Sequence, residues 1–139
     1  MSETLIPPAK KRRKSKGLSP TARTLAECRK RGWIAQVVEQ TIPRVFIKRD
    51  LFGCIDIVAI DAVTDPHYPR IIGIQATSGN DSGAHAARRR KILLEPRIKL
   101  WIEAGCRMEV WSFSKMGAAG KAKRWTLRAE QIRAEDFVA

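Results

Sequence analysis

Two apolar segments of β-strand type, residues 50–60 and 70–79, lie in the middle of this 139-residue sequence. The first contains the carboxylate Asp56, and the second contains Gln75 and Thr77. An ionised group inside a buried strand costs more free energy than the strand gains, unless a partner compensates the charge. Neither segment has a Lys or Arg in its interior, so the pattern favours a metal ion as the partner of Asp56.

Side chains alternate across a strand, which places Gln75 and Thr77 on one face with Ala76 on the other. If the two strands pair, Asp56 lies beside Gln75. Carboxylate and amide oxygens are hard ligands that suit Mg²⁺ or Mn²⁺, and such an ion polarises a phosphodiester and activates water. Two simpler interpretations stay open: Asp56 is hydrogen-bonded at a strand end, and Gln75 with Thr77 is an ordinary polar pair at a sheet edge.

The net charge of the chain is +13, from 27 Lys and Arg against 14 Asp and Glu. Residues 1–17 carry six of the bases and one acid, and this segment is predicted to be a disordered basic arm. The remaining 21 bases and 13 acids give a single domain, residues 18–139, a charge of +8. A positive field of this kind attracts polyanions, of which nucleic acid is the commonest. An acidic membrane surface is the alternative, but no amphipathic helix with an aromatic insertion face is evident.

The cysteines and the apolar segments bear on the compartment. Three widely spaced cysteines form no CxxC pair, which argues against a structural zinc ion or a disulfide framework. No apolar segment reaches transmembrane length, and Pro7 and Pro8 interrupt any signal-peptide core. The sequence therefore predicts a soluble, cytoplasmic protein that does not bind membranes.

Turn and cap residues predict the order of the elements. Ser19 and Pro20 open a helix that Gly32 ends, and Pro96 separates two helical pieces, the first containing residues 87–91 and the second ending at Gly105. Strands are predicted at 33–38, 44–48, 54–60, 70–76, 108–113 and 125–127, with a last short helix at 130–137. This order indicates an α/β fold in which helices cover a central mixed sheet.

The segment Gly53-Cys54-Ile55-Asp56 resembles the G-x-x-D strand of PD-(D/E)XK nucleases, notably archaeal-type Holliday junction resolvases and the VRR-NUC group. Residues 72–77 then correspond to the (D/E)-x-K strand of that family. The lead-in at residues 49–53 is similar to that of small nuclease-like proteins common in phage genomes. The resemblance implies a restriction-endonuclease-like core of helix, strands, helix and strand around a central mixed sheet. It also implies an Mg²⁺- or Mn²⁺-dependent DNA endonuclease. Family members that resolve junctions suggest a structure-specific activity, and a homodimer is one possible assembly.

The match departs from the family at two positions, because Gln75 replaces the second acid and Thr77 replaces the lysine. Lys91, on the following helix, is a candidate for the displaced cation, and Glu39 is a candidate further acid. The resemblance therefore implies the catalytic residues Asp56, Gln75, Thr77 and Lys91, and the metal ligands Asp56, Gln75 and Glu39. Asp50 is interpreted as a turn residue rather than a ligand. His85, interpreted as a loop residue, is close enough in sequence to Thr77 to deserve mutation as a general base.

Basic residues near these segments are predicted to contact phosphates: Lys48, Arg49, Arg88, Arg89, Arg90 and Lys91, together with Lys11, Arg12 and Arg13 of the arm. A solvated helix face is the simpler interpretation of residues 87–91, and a nuclear-import signal would look the same as the arm. The rival function is a nucleic-acid-binding protein that keeps the nuclease fold and has lost catalysis. A phage-encoded adaptor that binds a host protein is a third interpretation.

Overall fold

A computed structural model of the chain describes residues 17–45, 47–62, 67–79 and 82–138. The predicted arm lies almost entirely outside the described residues, and so do the phosphate contacts expected at Lys11, Arg12 and Arg13. The described part is α/β, with three α-helices and a mixed five-stranded central sheet. A separate hairpin of two strands accompanies that sheet.

The central sheet has the strand order β1-β4-β5-β6-β7, in which only the β5–β6 pair is parallel. The small hairpin consists of β2 and β3, which follow β1 directly in the chain. The strands are β1 Ile34–Val37, β2 Gln40–Ile42, β3 Ile47–Arg49, β4 Ile57–Ile60, β5 Ile71–Ser78, β6 Arg107–Met116 and β7 Arg124–Ile132.

Two of the helices begin where the cap residues predict. The Ser19 hydroxyl accepts a hydrogen bond of 3.1 Å from the Ala22 backbone N–H, and this cap opens helix α1, Pro20–Lys30. Glu95 caps helix α3 in the same way, with its carboxylate accepting from the Arg97 N–H. The remaining helices are α2, Ser82–Leu93, α3, Pro96–Glu103, and a short 3-10 helix, Ala134–Asp136.

Apolar side chains cover both faces of the central sheet. On the α1 face, Trp33 and Trp111 pack with ring centroids 5.9 Å apart among isoleucines of β4 and β5. On the opposite face, Ile55, Ile98 and Met108 lie in a second core beneath α2 and α3. Because both faces are covered, the central strands β5 and β6 are buried along most of their length.

Three predictions of local structure are wrong. Asp56 does not lie within a strand but in a bend just before β4. The predicted helix at 130–137 is instead the end of β7 and the 3-10 helix, because pairing with β6 continues through Ile132. His85 is not a loop residue, since it is buried on α2. None of the described helices has the length and apolar character needed to cross a membrane.

Candidate metal centre

Three carboxylates converge at one end of the central sheet. Glu39, Asp50 and Asp56 each place a carboxylate oxygen within 4.8 Å of the others. Asp56 is buried, with 7% of its surface exposed, and the other two are partly buried. We call these three residues the acidic cluster. Like charges at this separation repel, so the arrangement favours a bound proton or cation.

The β2–β3 hairpin brings the first two acids together. Gln40 and Arg49 are the outermost paired residues of this hairpin, and Glu39 and Asp50 directly precede and follow them in the chain. Residues that flank the first pair of an antiparallel ladder lie opposite each other. The hairpin of residues 40–49 therefore places the carboxylates of Glu39 and Asp50 side by side.

A second, tighter turn brings Asp50 to Asp56. Leu51 and Ile55 form an antiparallel bridge, and between them Phe52 and Gly53 adopt left-handed backbone conformations with φ of 53° and 71°. Glycine adopts such a conformation without a steric cost, whereas phenylalanine does not. Glycine at position 53 therefore lowers the strain of this turn, in which Phe52 already carries a steric cost. Asp50 and Asp56 flank the bridge that closes the turn.

Asp56 is held against the sheet by two donors from β5. The side-chain Nε2 of Gln75 donates to Asp56 Oδ2 at 2.8 Å, and the backbone N–H of Ala76 donates to the same oxygen at 2.9 Å. The predicted neighbourhood of Asp56 and Gln75 is therefore present. The other amide atom, Gln75 Oε1, is buried and has no hydrogen-bond partner among the described residues. A buried carbonyl oxygen without a hydrogen-bond partner can accept a hydrogen bond or bind a cation.

The pKa of Asp56 is raised to about 7, mainly because burial disfavours the charged carboxylate. A hydrogen bond with the Asp50 side chain raises the pKa further, as do the negative charges of Asp50 and Glu39, while the Ala76 N–H lowers it. The raised pKa therefore reflects burial of Asp56 first and the neighbouring acids second. A divalent cation bound among them would reverse the effect by favouring the ionised form.

One basic side chain reaches the cluster from α2. Lys91 Nζ lies 3.9 Å from Asp50 Oδ2, and about half of its side chain, 45%, is exposed. The predicted displaced cation is thus next to the acids. Lys91 and Arg90 also line a cleft of about 520 Å³ between α2 and the turn at Gly53.

Other predicted residues occupy different places. Thr77 is buried, and its hydroxyl donates weakly to the Ser78 carbonyl at 3.5 Å, so no described contact joins it to the acids. Arg89 donates to Glu130 at 3.2 Å and lies 3.9 Å from Asp136, so its charge is compensated within the protein. The remaining predicted phosphate contacts are exposed or partly exposed: Lys48 and Arg49 on β3, and Arg88 and Arg90 on α2.

Sequence reasoning missed the contribution of Asp50. Its interpretation as a turn residue is correct as far as the backbone is concerned, because Asp50 accepts the Gly53 N–H at its carbonyl at 3.0 Å. Its side chain nevertheless belongs to the acidic cluster. The spacing of Asp50 and Asp56 around Gly53 could have predicted this contribution. Two acids on either side of a short glycine turn come close together when the turn closes.

His85 takes part in a separate network on the same face of the sheet. One ring nitrogen, Nδ1, lies 2.8 Å from Ser112 Oγ, and the other, Nε2, lies 2.8 Å from Glu130 Oε1. The side chain is 4% exposed and both of its nitrogens have partners. Among the described residues, no hydrogen bond or ion pair joins this network to the acidic cluster. His85 holds α2 against β6 and β7.

No protein-family model, curated protein or solved structure matches this chain. The function therefore has to be inferred from the residues of the site itself.

Proposed function

We propose that this protein is a divalent-metal-dependent endonuclease of the PD-(D/E)XK type that hydrolyses phosphodiester bonds of DNA. The single observation that carries the proposal is the convergence of Glu39, Asp50 and Asp56 within 4.8 Å in a chain of net charge +13. A protein that attracts polyanions gains nothing from a local negative cluster unless a cation joins it.

The residues of the cluster fit Mg²⁺ or Mn²⁺. Both ions take oxygen ligands, and Mg²⁺ is usually held by one or two carboxylates while retaining several waters. Gln75 Oε1 is a further oxygen, buried and without a partner among the described residues. Rotation of the Gln75 amide would exchange the positions of Nε2 and Oε1, so that the oxygen faces Asp56. A bound ion would polarise a phosphodiester and lower the pKa of a water ligand.

The two departures from the family pattern have structural compensations under this proposal. Asp50 supplies the second acid that Gln75 cannot supply. Lys91, 3.9 Å from Asp50, supplies the cation that Thr77 cannot supply. Its ammonium group would hold a phosphate oxygen beside the acids and offset the charge that develops on the phosphate during attack.

DNA as the substrate class follows from the charges around the cluster. Lys48 and Arg49 precede Asp50 directly, and Arg90 and Lys91 line the cleft between α2 and the turn at Gly53. Cations at these positions would contact the backbone on either side of the phosphate that is cut, which positions the substrate without reading its sequence.

A cleavage assay on duplex, single-stranded and four-way-junction DNA, with Mg²⁺, Mn²⁺ or EDTA, tests the proposal. We expect metal-dependent cutting that Asp56→Asn abolishes while DNA affinity stays similar, because phosphate contacts and metal ligands are different residues. Glu103→Gln is the matched control, since Glu103 is a half-exposed carboxylate outside the cluster. Equal cutting by both variants would remove the cluster from catalysis.

The rival function is a nucleic-acid-binding protein without catalysis. The observation that favours it is the hydrogen bond from Gln75 Nε2, which occupies Asp56 Oδ2 at 2.8 Å. Mn²⁺ calorimetry on the free protein separates the two functions. A site that disappears in Asp56→Ala supports the enzyme, whereas DNA binding with no Mn²⁺ binding in the wild type supports the rival.

A further inference from the structure

The two longest paired strands, β6 and β7, extend beyond the rest of the sheet. Pairing between β5 and β6 ends at Ser78 and Phe113. The next three pairs, Ser114 with Thr126, Lys115 with Trp125 and Met116 with Arg124, join β6 and β7 only. Residues 114–126 therefore form a two-stranded ribbon that projects from the end of the central sheet, and we call this segment the ribbon.

The ribbon and its base are strongly basic. Residues 110–129 contain no Asp or Glu and five bases: Lys115, Lys121, Lys123, Arg124 and Arg128. The residues of the tip are exposed, and the tip turn is closed by a hydrogen bond of 3.0 Å from the Lys121 N–H to the Ala118 carbonyl. An exposed hairpin that carries these cations and no acid lies outside the hydrophobic core, and a surface of this charge attracts polyanions.

The base of the ribbon is anchored to the body of the protein. The guanidinium carbon of Arg23, on α1, lies 3.7 Å from the centroid of the Trp125 ring. Lys115 lies 5.4 Å from the same ring, and the neighbouring Leu127 packs against the core on the α1 face. Cation–π contacts of this kind fix the direction in which the ribbon leaves the sheet.

The ribbon projects from the same end of the sheet that carries the acidic cluster. Asp56 contacts Gln75, and Gln75 is in register with Val110 on the parallel strand β6. The ribbon begins at Ser114, four residues further along β6, which is about 13 Å along the strand. The lateral offset of two strands is about 10 Å, so the base of the ribbon is roughly 16 Å from Asp56. This distance is about half of one helical turn of B-DNA.

We propose that the ribbon binds the backbone of duplex DNA beside the acidic cluster and holds the duplex across the site. This inference rests on the proposed function, and it identifies the ribbon as the surface that binds the DNA substrate. The β2–β3 hairpin, which carries Lys48 and Arg49, follows β1 at one edge of the central sheet in the chain, whereas the ribbon extends from β6 and β7 toward the other edge. The duplex is thus held from two sides, with the acids between the two hairpins. A two-stranded ribbon also has dimensions that the major groove accepts.

The test compares two charge-matched double variants of the full chain. Lys121→Ala/Lys123→Ala removes two cations from the ribbon tip, where substitutions do not disturb the core. Arg29→Ala/Lys99→Ala removes two exposed cations, one from the last turn of α1 and one from the middle of α3. Affinity for a fluorescent duplex is measured across a salt series, and Mn²⁺ binding to each free protein is measured by calorimetry.

We expect the ribbon variant to bind duplex DNA about tenfold more weakly and to reduce the slope of log affinity against log salt by about 2, since each lost phosphate contact contributes roughly 0.9. The control variant should keep the wild-type affinity and slope, and both variants should keep Mn²⁺ binding. If the two variants weaken DNA binding equally, the ribbon does not hold the duplex, and the proposed function is unaffected.

Two other outcomes distinguish the failures. A wild-type protein that binds Mn²⁺ but no duplex at low salt overturns the ribbon proposal and the choice of DNA as substrate together. Sedimentation with vesicles that contain phosphatidylserine provides the last arm. If the ribbon variant loses vesicle binding while it retains duplex binding, the polyanion is a lipid surface and the proposal is wrong.

Discussion

The acidic cluster and the His85 network occupy the same face of one sheet, and both contain titratable groups, yet their hydrogen bonding differs. In the network, Ser112 and Glu130 occupy the two nitrogens of His85, and Arg89 takes the second oxygen of Glu130. Each polar group there meets a partner of complementary kind. In the acidic cluster, three carboxylates face one another and Gln75 Oε1 has no partner among the described residues.

The comparison shows how burial of polar groups separates a structural network from a site. A network in which every polar group is paired lowers the free energy of the folded state, because no desolvation penalty is left uncompensated. A cluster of like charges raises that free energy and persists only because the surrounding backbone imposes it. A cation that binds to the cluster would therefore stabilise the folded state, because it offsets the repulsion between the carboxylates.

The largest contrast is expected in catalysis. Asp50→Asn should lower metal-dependent cleavage about thousandfold, since it removes a charged metal ligand, while Ser112→Ala should change the rate less than about twofold. Initial rates on the best DNA substrate at saturating Mg²⁺ provide the measurement. A slow Ser112→Ala variant would mean that the His85 network takes part in the chemistry and that the comparison fails.

Opposite effects on stability are expected from neutralising one acid in each region. The Asp56 pKa is about 7 in the folded protein against an ordinary value of 3.8, so the folded state binds the proton more tightly. Stability therefore falls as pH rises from about 4 to 7, and the penalty is complete above pH 7. Without metal, Asp56→Asn should raise the free energy of unfolding at pH 8 by about 2 kcal/mol. A pKa difference of roughly three units corresponds to at most about 4 kcal/mol, and we expect about half of that.

Glu130→Gln is the matched variant, and it should lower the free energy of unfolding by about 1 kcal/mol. The change weakens the hydrogen bonds that Glu130 accepts from His85 and Arg89, and partial exposure of Glu130 reduces the loss. Urea denaturation at pH 8 and at pH 4 measures both variants. At pH 4 the gain of Asp56→Asn should vanish, and a gain that persists there would have a cause other than charge.

The pH dependence of metal binding tests the same electrostatics at a smaller scale. A carboxyl group must lose its proton to bind a metal, and with a pKa of about 7 Asp56 is mostly protonated at pH 6 and mostly ionised at pH 8. Mn²⁺ affinity should therefore rise about tenfold between these pH values. Calorimetry in buffers of different ionisation enthalpy should also detect proton release near pH 7, and a flat profile would exclude Asp56 as a ligand.

The smallest effect is expected at Lys91, whose ammonium group competes with a metal ion for Asp50. Lys91→Met should raise Mn²⁺ affinity by no more than about fivefold, because partly exposed ion pairs contribute at most about 1 kcal/mol. Lys99→Met is the control, since Lys99 pairs with Glu103 at the same distance of 3.9 Å. The same Lys91 variant should cleave DNA more slowly than the control if its charge serves the phosphate.

Local sequence determined much of the fold. Ser19 and Glu95 mark helix starts because their side chains accept backbone N–H groups that no helical carbonyl reaches. The apolar runs identify β4 and β5, and the alternation of side chains predicts that Asp56 meets Gln75 once those strands pair. These features depend on neighbours within a few residues or on one pairing, so the sequence alone was sufficient for them.

Tertiary structure decided the rest. Residues 130–132 continue a strand rather than a helix because β6 offers them a ladder of hydrogen bonds, which outweighs local propensity. Glu39 and Asp50 meet only because a hairpin folds the ten intervening residues away, and Asp50 meets Asp56 only because Phe52 and Gly53 turn the chain sharply. Spacing in the sequence does not reveal which distant carboxylates will be neighbours, since backbone pairing between segments, and not residue type, sets those distances.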